Sequence, residues 1–290
     1  MKPAVHKVEI PGSKAFVVHY LDDTFFDTNW HFHSEYQLFV VLEGTGTRFI
    51  GDNISHFQEG DMVFTGPNIP HLWRNDDIYF HKENNLRVHG VVVYFPENFL
   101  GDAILKKDEM HGVRALFEKG RRGLAFHGQT NQEVTWMLKE LLELKGVESI
   151  VKLLNILNAL AESTEYQYIS SVGYTNTSKE VDKDRMSDVY NYIMLNFKKN
   201  IMLEEVAEIA SMSATSFSRY FKARTNKSFS SFVSELRIGY ACKQLMEDKN
   251  TIAQICYECG YNTLSNFNKQ FKEHMYKTPF EYRKEYLKIN

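Results

Sequence analysis

One short pattern occurs twice toward the C-terminal end, and it constrains this chain more than any other feature. The first copy, VAEIASMSATSFSRYFKARTNKSFSSFV, runs from Val206 to Val233, and the second, IAQICYECGYNTLSNFNKQFKEHMYKTPFEYR, from Ile252 to Arg283. Each has an apolar helix, a short turn at Ser211-Met212 or Gly260-Tyr261, and a second helix carrying Phe-x-x-x-Phe-Lys (Phe217, Phe221 and Lys222; Phe267, Phe271 and Lys272). Residues four apart share one helix face. Each Phe pair therefore predicts a core-facing stripe, and the positions between them an outward one. Two in-phase copies joined by a helix predict a duplicated helix-turn-helix rather than a bundle with merely solvated charges.

Charge supports this by its distribution. The chain as a whole is −3, but residues 184–290 carry 16 Lys+Arg against 12 Asp+Glu, while residues 1–183 carry 18 against 25. A modest basic excess in one part and an acidic excess in the other predict separate partners. At 290 residues the chain is long enough for two cores. No apolar run approaches a membrane span and the start MKPAVHKVEI is no signal peptide, so a cytoplasmic protein with no membrane partner is expected. The three cysteines argue against a disulfide framework. Cys256-x-x-Cys259 falls in a predicted helix with only Cys242 left as a further ligand, so all three read as buried packing residues.

The N-terminal part reads as β structure. Five of six prolines fall in the first 96 residues, and glycines punctuate short runs rich in Val, Phe, Ile and Tyr (AFVVHY, YQLFVVLEG, GTRFIG, DMVFTG, VHGVVVYF). Such spacing predicts an antiparallel sandwich or barrel. His31-Phe32-His33 precedes one strand and its alternation puts both imidazoles on one face; His71 follows a Pro-bracketed turn in GDMVFTGPNIPHLW. This resembles the cupin fold, whose HxHxxxE motif and later His bind a metal. Here Gln37 stands at the Glu position, a poor metal ligand, and Glu35 is a substitute on the histidine face. Three readings stay open: a metal-free small-molecule pocket, structural histidines, and a metal centre. The preferred one is a ligand pocket of His31, His33, Gln37, His71 and Trp73 with no metal or other cofactor. The absence of a charged ring around the histidines points to a neutral sugar or polyol. From Asp108 to Ser163 the pattern turns helical, with Leu138, Leu141, Leu142, Ile150, Leu153, Leu154, Leu157 and Leu160 on one face, expected to serve in dimerisation as well as in covering the sheet.

A polar stretch, residues 166–183, reads as a flexible linker between domains at 1–165 and 184–290. A helix starting near Arg185 opens the second domain. Ser213 is placed to cap the recognition helix of the first motif and Asn226 to close it in the left-handed conformation. The outward residues Thr215, Ser218 and Arg219, and in the second motif Ser265, Asn266, Asn268 and Lys269, are the candidates for base edges. Lys222, Arg224, Lys227, Lys272 and Arg283 are the candidates for phosphates.

The ending GYNTLSNFNKQFKEHMYKTPFEYR resembles the signature of AraC-type bacterial transcriptional regulators: Gly-Tyr, Ser-x-Phe, Phe-Lys, then Thr-Pro-x-x-Tyr-Arg. The resemblance spans about 100 C-terminal residues, and Tyr276 stands where the family usually has Gly. It implies an α+β chain: an N-terminal cupin-like antiparallel β-barrel with following helices, then an all-α domain with two helix-turn-helix motifs. It implies no enzyme but a transcription regulator, an activator acting as a homodimer, whose two recognition helices enter successive major-groove segments under the control of an effector. The partners expected are double-stranded DNA, a small-molecule effector such as a sugar, a second copy of the chain, and RNA polymerase. The alternatives are a metal-dependent cupin enzyme with accessory helices and a constitutive DNA-binding protein.

Overall fold

The computed structural model describes residues 8–174 and 182–289. The chain divides into two compact units, Met1–Asn176 and Thr177–Asn290.

In the first unit the strands are β1 (Val17–Asp23), β2 (Tyr36–Glu43), β3 (Gly46–Ile50), β4 (Asn53–Phe57), β5 (Met62–Thr65), β6 (His71–Asn75) and β7 (Val88–Phe95). There follow α1 (Asp102–Leu105), α2 (His111–Gly120), β8 (Leu124–Phe126), α3 (Gly128–Leu141), α4 (Gly146–Glu162) and β9 (Tyr166–Tyr168). Among the described residues they form two antiparallel sheets, ordered β1-β7-β2-β5-β8-β9 and β4-β3-β6. The expected antiparallel β domain is present, but as two facing sheets rather than one closed barrel. The β2–β7 register shifts between Val41 and Glu43, where the chain leaves the large sheet to begin β3 in the small one.

β2 reads YQLFVVLE without polar alternation because both its faces are covered. Tyr36, Leu38 and Val40 pack with Val113, Phe117, Leu138, Leu153 and Leu157 of the helices, whereas Phe39 and Val41 pack with Ile50, Phe57 and Trp73 of the small sheet. A buried side chain of this size contributes about 1.5–3 kcal/mol. Most of the leucine face of α3 and α4 is thus buried inside the unit: Leu138, Leu141, Leu153, Leu157 and Leu160 are all at most 1% exposed, while Leu142, Ile150 and Leu154 are partly exposed.

Two expectations fail here. β8 interrupts the run expected to be wholly helical. The stretch from Tyr166, expected as linker, is folded: β9 pairs with β8, Ser170 is buried, and Arg122 lies 4.1 Å over the Tyr168 ring. Its polar residues have internal partners, Ser171 donating its N–H to Asp52 Oδ1 at 3.0 Å. The remainder of that linker, residues 175–181, lies outside the described residues.

The second unit comprises α5 (Asp182–Asn196), α6 (Leu203–Ile209), α7 (Ala214–Thr225), α8 (Phe229–Glu247), α9 (Ile252–Glu258), α10 (Leu264–Met275) and α11 (Pro279–Ile289). Its duplication is physical as well as textual. Ser213 and Thr263 each cap the following helix by accepting from the N–H three residues on, that of Ser216 or Asn266. Fifty residues also separate Phe217 from Phe267, Phe221 from Phe271, and the ion pair Lys227–Glu235 from Lys277–Glu285. The two turns differ. Met212 N–H bonds Ala207 O and Tyr261 N–H bonds Cys256 O, a spacing of 49, so Asn262 is one extra residue before the second recognition helix. Cys242, Cys256 and Cys259 are free and buried, as packing residues.

α5 is fastened to both motifs. Arg237 of α8 donates to the carbonyls of Phe197 and Lys199 at 2.7 and 2.6 Å, and Gly260 (φ +82°) sits where a Cβ would lie 2.7 Å from Lys198 O. At the other corner Tyr190 meets Phe232 edge-on.

Asn226 closes α7 at φ 55°, as expected, and Tyr276 closes α10 at φ 59°. Tyr276 is 87% exposed, so its ring repays little of the left-handed cost of about 1–2 kcal/mol. Tyr276→Gly removes that cost against a smaller loss through the unfolded chain. We expect it to stabilise the unit by about 0.5–1 kcal/mol in urea unfolding; a destabilised variant would refute the strain.

Candidate nucleic-acid interface and ligand pocket

α7 and α10 turn their Phe pairs into the core, with Phe217, Phe221, Phe267 and Phe271 all 0% exposed. The opposite faces are thereby fixed. Thr215, Arg219 and Lys222 are exposed on α7 at helical spacing, with Ser218 half-buried on their flank. α10 repeats this with Ser265, Lys269 and Lys272 exposed, beside Asn266 and Asn268. Lys269 lies 3.9 Å from Glu273, a surface pair too weak to withhold it from a partner. Leu264, exposed in the first turn of α10, belongs to the same face and had no polar signal to mark it in the sequence.

Three of the expected phosphate contacts also have partners within the domain. Arg283 donates to Asn250 O at 2.6 Å and lies 3.4 Å from Asp248, closing the end of α8. Lys227 pairs with Glu235 at 2.6 Å, and Arg224 stacks 3.7 Å over the Tyr220 ring. Arg224 meets its own helix, whereas the partners of Lys227 and Arg283 come together only in the folded domain.

The first unit contains a cavity of about 610 Å³ between its sheets. His31, Gln37, His71 and Trp73 line it, and His33 stands behind, its ring 5.0 Å from that of His71. Tyr94, Phe26, Phe39 and the carboxylates Glu9, Asp23 and Asp27 also line it and were not anticipated, since the strand register that assembles them is not written in any one segment.

The imidazole protons follow from their neighbours. His31 and His71 each hold Nδ1 2.7 Å from a carbonyl, of Asn29 and Ile69 respectively. A carbonyl only accepts, so Nδ1 carries a proton in both rings. His71 is 1% exposed and its Nε2 has no hydrogen-bond partner. Burial, then the neighbouring histidines, push its pKa well below the usual value and keep it neutral. Burial also raises the Tyr94 hydroxyl, with Asp27 and Glu35 pushing the same way.

Nitrogens of His31, His33 and His71 lie within 4.8 Å of one another, the set a cupin metal would use. The donor chemistry fits such an ion poorly. Both ring nitrogens of His33 are engaged within the protein, Nδ1 with Glu35 O and Nε2 with the Gln37 side-chain amide, each at 3.1 Å. Gln37 brings no negative charge, and Glu35 approaches His33 from the Nδ1 side at 3.6 Å without lining the cavity.

Residues 206–285 match the helix-turn-helix domain family and residues 24–78 the cupin domain family. A helix-turn-helix transcriptional regulator of Bacillus subtilis, YdeC, is 21% identical over 88% of this chain and 85% of its own length. The helix-turn-helix transcriptional activator RhaS of Mannheimia succiniciproducens is 30% identical over 50% of this chain, which spans only 58% of that protein. A solved AraC-type regulator from Chromobacterium violaceum is 21% identical over 37% of this chain and 96% of its own, with a TM-score of 0.35. The fold and its domain matches define a helix-turn-helix protein with a cupin domain. The chain is similar to helix-turn-helix transcriptional regulators, an AraC-type regulator among them.

Proposed function

We propose that the chain is a sequence-specific DNA-binding regulator of transcription, with a small-molecule effector held in the cavity of the cupin domain. One observation carries this: two recognition helices, each rooted by a buried Phe pair, present the same outward positions twice, Arg219 and Lys222 on one and Lys269 and Lys272 on the other. An α-helix fills the major groove, and two on one face read segments about one turn apart. The relatives are transcriptional regulators, and the proposed role involves no catalysis. No helix among the described residues is long and apolar enough to cross a membrane. The effector acts by its difference in affinity for DNA-competent and incompetent states. Activation, a homodimer and contact with RNA polymerase complete the proposal.

Selection of duplexes from a random library by the full chain tests it. Enriched sequences should hold two elements roughly 10 base pairs apart. No enrichment, or a single element, would defeat the two-helix reading.

A further inference from the structure

The cavity also constrains what it takes, and this inference rests on reading it as the effector site. Among the described residues its lining includes the carboxylates Glu9, Asp23 and Asp27 and neither Lys nor Arg. The charged surroundings are therefore acidic, which removes the ground for expecting a neutral sugar. At the inner wall His71 spends its Nδ1 proton on Ile69 and presents an unpartnered, buried Nε2, so this ring accepts and does not donate. The acidic field extends inward, since Asp27 and Glu35 both raise the Tyr94 hydroxyl. The remaining wall is aromatic: Phe26 meets Phe39 edge-on at 5.3 Å and Phe39 meets Trp73 at 4.9 Å.

Among the described lining residues, an anion would meet three carboxylates and no Lys or Arg. A neutral polyol would satisfy acceptors but gain nothing from the negative field, and its hydroxyls would be set against phenyl faces. A protonated amine on an apolar body uses every part of the lining. Its N–H groups donate to His71 and the carboxylates, its charge is attracted to the acids, and aromatic faces stabilise both the cation and its carbon skeleton. We propose that the effector is an organic ammonium ion, a primary or secondary amine carried on an apolar, aromatic-compatible body.

Calorimetric titration of the full chain at neutral pH, with operator affinity measured in parallel, tests this. The probes are a panel of arylalkyl and alkyl amines headed by phenethylamine, the matching alcohols, hydrocinnamate, glucose and zinc chloride. At least one amine should bind about tenfold or more tighter than its alcohol, a difference of about 1.4 kcal/mol. Asp27→Asn should weaken that amine about tenfold while leaving the alcohol unchanged, which a folding defect would not do. Glu9→Gln, at an exposed position, repeats the test without disturbing the hydrogen bonds between Asp27 and Asn29. If no amine outbinds its alcohol, or if hydrocinnamate, glucose or zinc binds tightest, the ammonium assignment falls; the regulator reading stands if that ligand alters DNA affinity. An amine that binds tightly without changing DNA affinity upholds the ligand assignment and overturns control through this cavity.

Discussion

Phe267→Ala should cost the second unit about 3–5 kcal/mol, the usual loss when a fully buried phenyl is emptied from a core. The ring is 0% exposed and contacts Phe271 at 5.8 Å and Tyr261 at 5.4 Å, within a cluster that includes Ile238, Leu245, Ile255 and Cys259. Little can collapse into the space, because its neighbours belong to three different helices, each already capped. The expected result is a urea transition of the second unit moved far toward water, with DNA binding lost and the transition of the first unit unmoved. A loss below about 1 kcal/mol would mean that the site repacks, and that Phe267 is not the anchor described.

Arg219→Ala should lower affinity for a selected operator by about 1–3 kcal/mol, roughly 5- to 150-fold, while barely altering binding to unrelated DNA. Arg219 is exposed on the face opposite the Phe pair, and its guanidinium can reach O6 and N7 of guanine together. Lys222→Ala provides the contrast. Loss of one phosphate contact weakens all sequences alike and flattens the dependence of log affinity on log salt by about 1. Arg283→Ala provides a second contrast, acting through unfolding, since Arg283 closes the end of α8. Titrations across salt concentrations separate the three. An Arg219 variant that loses affinity equally for all DNA would reassign that residue to the backbone.

The helical unit was legible because its code is local. A Phe pair four apart, a serine or threonine before the helix and an asparagine after it each act within one turn, and Ser213, Asn226 and Pro279 stand where such signals place them. Interactions across helices were not legible. Lys227 reads as a free cation until Glu235 of α8 lies beside it, and Arg283 until α11 meets the end of α8. The β unit was harder for the same reason. Its three histidines were found from spacing, but Asp23, Asp27 and Tyr94 reach the cavity through pairings such as Tyr94 with Gln37, and no short segment contains them. The stretch after Glu162 looked like linker because its composition is polar. Its hydrogen bonds to Asp52 and Arg122 are what give those polar residues a folded place.

Arg237 and Gly260 also decide where a separable DNA-binding fragment must start. A fragment cut at the first helix-turn-helix, near Leu203, would retain the guanidinium that reaches Phe197 O and Lys199 O but discard both acceptors, and would expose the surface against which Gly260 is fitted. Burial already lowers the Arg237 pKa, so a charge stripped of its acceptors there is expensive. The helix from Asp182 is thus a structural part of the reader rather than a tether to it. Expression boundaries, domain grafts and chimaeric regulators built on this chain should carry that helix with the two motifs.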